Sequence, residues 1–182
     1  YDAKVNGSSM NFDGTEFTYM PNQNYNGTAK IQYKVKGGRE EITQTQYLMI
    51  SPVNDAPKGA DNSIDVVMNE KHTFKIQDFG FTDDIDNNKL KEVKLTVSDP
   101  ENLRINGLPQ STGVINIAAN DIRNGLVTYK SGSIGSTKTI SFKVIDDGNI
   151  NRSAGDINES INDYNITFSG IAPAVNDESL IK

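Results

Sequence analysis

Four short motifs occur twice, in the same order, along the 182 residues of this chain. The first occurrence reads VNG at 5–7, FTY at 17–19, IQYKV at 31–35 and PVND at 52–55. The second reads ING at 105–107, VTY at 127–129, ISFKV at 140–144 and PAVND at 173–177. Equal order with unequal gaps is the pattern of one strand framework whose connecting loops differ in length. The repeat therefore predicts two copies of one module.

The motifs themselves have the alternation of β-strands. Apolar Ile140, Phe142 and Val144 alternate with Ser141 and Lys143, as in a strand with one buried face. Asn-Gly turn signals lie between such runs, and only a short turn of helix is expected after residue 120. The chain is therefore predicted to be all-β, built from immunoglobulin-like antiparallel sandwiches.

The two copies differ in completeness. Residues 58–175 approach the roughly 100 residues of one immunoglobulin-like sandwich and are predicted to form a complete module. Residues 1–57 hold only the later motifs of a module, so they are predicted to form its carboxy-terminal part, and residues 176–182 to begin the next linker. An incomplete sandwich would expose unpaired strand edges.

Composition narrows the class of protein. Cysteine is absent, which excludes disulfides and thiolate sites and makes bound ions the first candidates for extra stabilisation. The 24 acidic against 18 basic residues, a formal charge of -6, argue against nucleic acid as a partner and suit cation binding. No apolar run reaches the roughly 20 residues of a membrane span, and any targeting signal is expected to lie outside this sequence.

An acidic cluster follows the apolar FGF at 79–81. Asp83, Asp84 and Asp86 place three carboxylates within four residues, beside the amides of Asn87 and Asn88. Two such charges about 5 Å apart repel by roughly 3 kcal/mol at an effective dielectric of about 20. A Ca²⁺ ion, which takes six to eight oxygen ligands, would relieve that repulsion. The alternative is a solvated acidic loop; the spacing is not that of an EF-hand.

Several longer motifs together resemble bacterial cadherin-like tandem repeats, which occur in large repeat-in-toxin (RTX) surface adhesins. The end of one such repeat is matched by FTYMPNQNYNG at 17–27, IQYKV at 31–35 and SPVNDAP at 51–57. The next repeat is matched by NEKHTFKIQDFGFTDDID at 69–86, INGLP at 105–109, ANDIRNGLVTY at 119–129 and FKVIDDG at 142–148. Where the family often reads Asp-Gly after the FxYxV strand, the first copy has lysine and two glycines at 36–38, whereas the second keeps two aspartates and a glycine at 146–148. The resemblance covers nearly the whole chain and implies a cadherin-like fold.

The resemblance also implies calcium at the linkers. It assigns ligands to Asn54 and Asp55 of the first linker, to be joined there by Glu70 and the Asp83 cluster. By repetition it assigns the same role to Asn176 and Asp177, and Asp146 and Asp147 form a third candidate site. The alternative for each is a turn in which the side chain binds local backbone amides.

The repeat and its acidic linker, read with this resemblance, imply an extracellular extender module on a bacterial cell surface. Its expected partners are neighbouring modules of the same chain, and it would hold a distal binding domain away from the cell. The alternative is a module that binds a glycan or protein on a host or neighbouring cell, with its binding loop in the insertion between Asp147 and Asn165 that the first copy lacks. No enzyme is expected, because nothing in the sequence indicates a nucleophile and base that would use the single histidine, His72.

Overall fold

The computed structural model describes residues 9–13, 16–111, 113–130, 132–148 and 157–174. The chain divides into an amino-terminal unit that runs to Asn54 and a carboxy-terminal unit that begins at Asp55. The domain boundaries predicted at 57/58 and 175/176 stay predictions. Within the described part of the chain, no helix has the length and apolar character needed to cross a membrane.

The amino-terminal unit contains two antiparallel hairpins. Their strands are β1 (Ser9–Phe12), β2 (Phe17–Met20), β3 (Gly27–Gly37) and β4 (Glu40–Ile50). Strands β1 and β2 form one two-stranded sheet, and β3 and β4 form the other. The turn between β3 and β4 passes through Gly38, whose φ of 64° is accessible to glycine at little cost. The rings of Phe17 and Tyr33 lie 5.4 Å apart, so β2 packs on β3.

The carboxy-terminal unit consists of two packed sheets. Its strands are β5 (Asn62–Val67), β6 (Lys71–Thr73), β7 (Leu90–Thr96), β8 (Leu103–Ile105), β9 (Leu108–Pro109), β10 (Val114–Ala118), β11 (Val127–Lys130), β12 (Thr137–Asp146) and β13 (Tyr164–Ile171). One sheet has the order β10-β7-β12-β13-β5 and the other β6-β11-β8-β9. All pairings are antiparallel except that of β13 with β5.

The core of this unit lies between the two sheets. Ile140, Phe142 and Val144 of β12 are buried while the residues between them are only half-buried, which is the alternation read in the sequence. The opposite sheet contributes Leu103, Val127 and Tyr129 to the same core. The prediction of an all-β chain with a β-sandwich fold is confirmed, with the parallel pairing of β5 and β13 as a departure from the antiparallel order expected. That the first module is partial stays a prediction.

The connections follow the turn signals. The short helix α1 (Ala119–Arg123) occupies the place expected after residue 120. The Asn106-Gly107 step turns with both residues at positive φ, 51° and 79°, a conformation that asparagine and glycine tolerate best. A 3-10 helix, Ile76–Phe79, ends at Gly80 and buries Phe79, which anchors the start of the acidic loop.

Candidate metal centre

The acidic loop between Phe81 and Lys89 is organised by Asp83. Its Oδ1 accepts a hydrogen bond from the backbone N–H of Asp86, and its Oδ2 accepts one from Asn88, both at 3.1 Å. Between them Asn87 adopts a φ of 58°, in the left-handed region that asparagine tolerates. Asp83 is thus half-buried and satisfies the loop's own amides, which is the local role that short acidic side chains favour in turns.

Asp55 joins this loop from a distant part of the sequence. Its backbone N–H donates to Oδ2 of Asp86 at 2.6 Å. Burial, followed by the charges of Asp86 and Asp83, raises the pKa of Asp55 above its ordinary value. Three of the predicted ligands therefore lie close enough to repel one another.

Asp84 faces a different neighbour. Its Oδ2 lies 3.7 Å from Nζ of Lys58, and both side chains are about two-thirds exposed (68% and 67%). Exposed pairs of this kind contribute little to stability. Of the three aspartates in the cluster, Asp84 is therefore the one turned toward solvent.

Asp146 and Asp147 lie at the same end of the sandwich. Asp146 ends β12 opposite Leu90, is fully buried, and accepts a hydrogen bond from the Gly148 N–H at 2.8 Å. Asp147 exchanges two hydrogen bonds with Lys89: its Oδ1 accepts the Lys89 N–H at 2.7 Å, and its own N–H donates to the Lys89 carbonyl at 2.9 Å. These bonds join the turn after β12 directly to the residue that follows the acidic loop.

Glu70 lies at the opposite end. Strand β5 starts beside β13, where Asn165 N–H donates to Asp61 Oδ1, and runs parallel to it until Val67 pairs with Ile171. Glu70 follows that far end, where its N–H donates to the Val67 carbonyl. At about 3.3 Å per residue, the six residues of β5 span roughly 20 Å. The structure therefore separates Glu70 from Asp83, and the expectation that they share one ion is corrected: the parallel pairing of β5 carries the chain away from the acidic loop.

Three predicted ligands remain. Asn54 is buried and belongs to the amino-terminal unit. Asn176 and Asp177 lie outside the described residues. The ligands that the structure brings to one end of the sandwich are therefore Asp55, Asp83 and Asp86, with Asp146 and Asp147 nearby.

The carboxylates of this group are suitable calcium ligands by chemical type, but their positions do not form a calcium site. Carboxylate oxygens are the ligands that Ca²⁺ prefers. Across the described ranges, however, no three acidic or histidine side chains converge closely enough to hold a metal ion. Both oxygens of Asp83 and one oxygen of Asp86 bind backbone amides instead. An oxygen that accepts one amide hydrogen bond keeps a lone pair that can coordinate Ca²⁺, so these bonds do not by themselves block the ion. What the described residues lack is a convergent group of three acidic side chains.

Two polar contacts elsewhere were not predicted from the sequence. Nε2 of His72 lies 2.7 Å from Oδ2 of Asp78, a pair that connects β6 to the 3-10 helix. The hydroxyl of the fully buried Tyr129 donates to both carboxylate oxygens of Asp99, at 2.9 and 3.0 Å, and Lys138 lies 3.5 Å from the same carboxylate. From the sequence, Asp99 is read only as part of a turn before Pro100. Its contacts could not be predicted because its partners are about 30 and 40 residues away along the chain.

Comparison with known proteins identifies no family. No family model and no curated protein matches the chain. Among solved structures, it is similar to human mucin-like protocadherin EC1-2, with a TM-score of 0.48 and 11% identity over 94% of this chain and 84% of that chain. It is also similar to an endo-fucoidan hydrolase from glycoside hydrolase family 107, with a TM-score of 0.34 and 13% identity over 95% of this chain and 24% of that chain. The fold assignment rests on the strand pairing described above.

Proposed function

We propose that this chain is a calcium-stabilised, cadherin-like extender of a secreted bacterial surface adhesin. In this role it spaces a distal binding domain from the cell, and it carries out no catalysis. Its partners are neighbouring modules of the same chain. The β-sandwich supports a structural role because its two sheets pack on one buried core.

The observation that carries the proposal is the contact between Asp55 and the acidic loop. Asp55 is the first residue of the carboxy-terminal unit, and its N–H is bonded to Asp86. A dication that bound Asp55 together with Asp86 and Asp83 would offset the repulsion that raises the pKa of Asp55. It would also fasten the linker residue Asp55 to the body of the sandwich.

Calorimetric titration tests the calcium part of this proposal. The parent chain is titrated with Ca²⁺ and with Mg²⁺, and compared with Asp86→Asn and with the matched variant Asp65→Asn. Asp65 is an exposed aspartate of β5, away from the acidic loop, so its replacement removes one negative charge just as Asp86→Asn does. We expect calcium binding in the parent and in Asp65→Asn, and weaker binding in Asp86→Asn. Absence of any calcium heat in the parent would refute the metal site.

Small-angle scattering tests the extender role. In calcium, the parent should give the profile of an elongated, rigid particle, because a linker ion limits the orientations of successive modules. Asp55→Ala should broaden the distribution of particle dimensions while leaving the β-sheet circular dichroism signal unchanged. A profile that is the same for the parent and Asp55→Ala, with and without chelator, would count against an ion at the linker.

A second candidate function, recognition of a glycan, is favoured by a polar groove on the five-stranded sheet. The groove has a volume of about 660 Å³ and is lined by hydroxyl, amide and carboxylate side chains: Asp61, Asn62, Ser63, Thr139, Asn165 and Thr167. Such groups can pair with sugar hydroxyls. A glycan array probed with the parent and with Thr167→Val separates the candidates: an extender binds no glycan, whereas a lectin-like module binds one and loses it in the variant.

A further inference from the structure

One side of the β3–β4 hairpin is mainly apolar and is open to solvent along part of its length. The register pairs Val35 with Ile42 and Ala29 with Leu48, so these residues lie on the same side of the hairpin as Ile31 and Tyr33. We call these six residues the hairpin face; Gln44 and Gln46, which pair with Tyr33 and Ile31, lie among them. Val35 is 50% exposed, Ile42 55% and Leu48 42%, whereas Ala29 is buried and Ile31 and Tyr33 are half-buried, Tyr33 beside the ring of Phe17.

The other side of the hairpin is mainly polar. It carries Lys30, Gln32 and Lys34 on β3, paired with Tyr47, Thr45 and Thr43 on β4. An antiparallel sheet that is apolar on one side and polar on the other commonly packs its apolar side on a core and leaves its polar side in solvent. The asymmetry indicates that the hairpin face has a partner.

The repeat within the chain identifies what covers the equivalent face. IQYKV at 31–35 corresponds to ISFKV at 140–144, so β3 corresponds to β12. Ile31 pairs with Gln46 as Ile140 pairs with Ile166, so β4 corresponds to β13 and Leu48 to Phe168. Yet Val144 and Phe168 are 0% and 1% exposed, while their counterparts Val35 and Leu48 are half-exposed. Val35 and Leu48 thus differ from their counterparts in whether something is packed on them, while Gln46 and Gln44 stand where the complete module has Ile166 and Tyr164.

In the complete module, two strands also occupy the outer edges of the equivalent hairpin. Strand β7 pairs with β12 antiparallel, and β5 pairs with β13 parallel. Among the described residues, β3 and β4 pair only with each other, so no described strand occupies their outer edges. Open edges beside an apolar face are sites for strand addition.

We propose that the hairpin face binds the amino-terminal half of a module of this same repeat, with the strand pattern of residues 58–104. That segment adds one strand antiparallel to β3, in the place of β7, and one parallel to β4, in the place of β5. Its apolar side chains, equivalent to Val93 and Leu95, then cover Val35 and Leu48. Residues 58–104 are the part of the second copy that precedes its ING motif, and the first copy has its VNG motif at 5–7.

The test joins a second copy of residues 58–104 to the amino end of the full chain. Hydrogen exchange of amides in residues 27–50 is measured by mass spectrometry, alongside size-exclusion chromatography. We expect exchange in β3 and β4 to slow by about tenfold or more relative to the parent chain, because open strands become interior ones. A control insert with Val93, Leu95 and Val97 changed to serine should give no such protection.

Leu48→Lys and Met49→Lys form a matched pair within the fusion. Leu48 lies on the hairpin face, whereas Met49 lies on the opposite side and is 81% exposed. Both side chains are exposed in the parent chain, so neither lysine disturbs the hairpin itself. Protection should be lost in Leu48→Lys and kept in Met49→Lys. Three results would overturn the proposal. Exchange could be equally fast in the fusion and in the parent chain, the serine insert could protect as well as the original insert, or protection could be lost equally in Leu48→Lys and Met49→Lys. Concentration-dependent protection in the unfused chain would also overturn it, because a second copy would then be the occupant.

Discussion

The backbone N–H of Asp55 donates to the carboxylate of Asp86 at 2.6 Å, across 31 residues of sequence. This bond holds the start of the carboxy-terminal unit against the acidic loop and places two carboxylates in mutual repulsion. The repulsion makes the stability of this end of the sandwich sensitive to cations and to pH.

Calcium should raise the melting temperature of the carboxy-terminal unit. If the ion binds only the folded chain, a concentration about 100 times its dissociation constant adds about 2.7 kcal/mol per site. Asp86→Asn removes a charged ligand and should lose most of that gain, whereas Asp65→Asn should keep it. Calorimetric melting in calcium and in chelator measures the effect; identical melting of the parent under both conditions would contradict it.

The raised pKa of Asp55 predicts a specific pH dependence in chelator. Because the folded pKa lies above the ordinary value of 3.8, the folded state binds this proton more tightly than the unfolded state does. Its favourable contribution is complete below pH 3.8 and is lost as pH rises through the folded pKa. Replacing Asp55 by asparagine abolishes this dependence, so the difference in unfolding free energy between Asp55→Asn and parent should grow with rising pH. Urea titrations between about pH 4 and 7 measure it, and a pH-independent difference would be the contrary result.

Burial makes Asp146 important to stability in the absence of metal. Asp146→Ala leaves the partly buried Gly148 N–H without its acceptor, and we expect a loss of about 1–3 kcal/mol in unfolding free energy. Asp146→Asn keeps an acceptor oxygen and should recover part of that loss. Denaturant unfolding in chelator measures both variants. If Asp146→Ala unfolded like the parent, the buried hydrogen bond would have no structural importance.

Tyr129 should be the tyrosine that most affects stability in alkali. Burial, and then the hydrogen bond and charge of Asp99, raise the pKa of its hydroxyl. The favourable contribution is therefore present below pH 10.0 and is lost as pH rises above that ordinary value, where the unfolded chain ionises first. Tyr129→Phe should lose about 1.5–3 kcal/mol at neutral pH and show a shallower alkaline decline. Tyr47→Phe, which changes an exposed ring, serves as the control in the same urea titrations.

Strand positions and turns are the features that the sequence alone predicts well. The alternation at 140–144 corresponds to β12, the Asn106-Gly107 step to a turn, and the residues after 120 to α1. These features are local: the side-chain period of a strand and the backbone preference of glycine or asparagine act within a few residues. The same locality explains why the loop at 83–88 could be read as one acidic unit.

The tertiary structure decided which distant residues meet. Parallel pairing of β5 with β13 places Glu70 away from Asp83, and the fold brings Asp55 to Asp86, though the sequence suggests that all three belong together. Packing also decided that Phe168 is buried while its repeat counterpart Leu48 is exposed. An alternating pattern determines which face of a strand is apolar, because the period of two is a property of the backbone. Whether that face is covered depends on which other strands are present to pack against it.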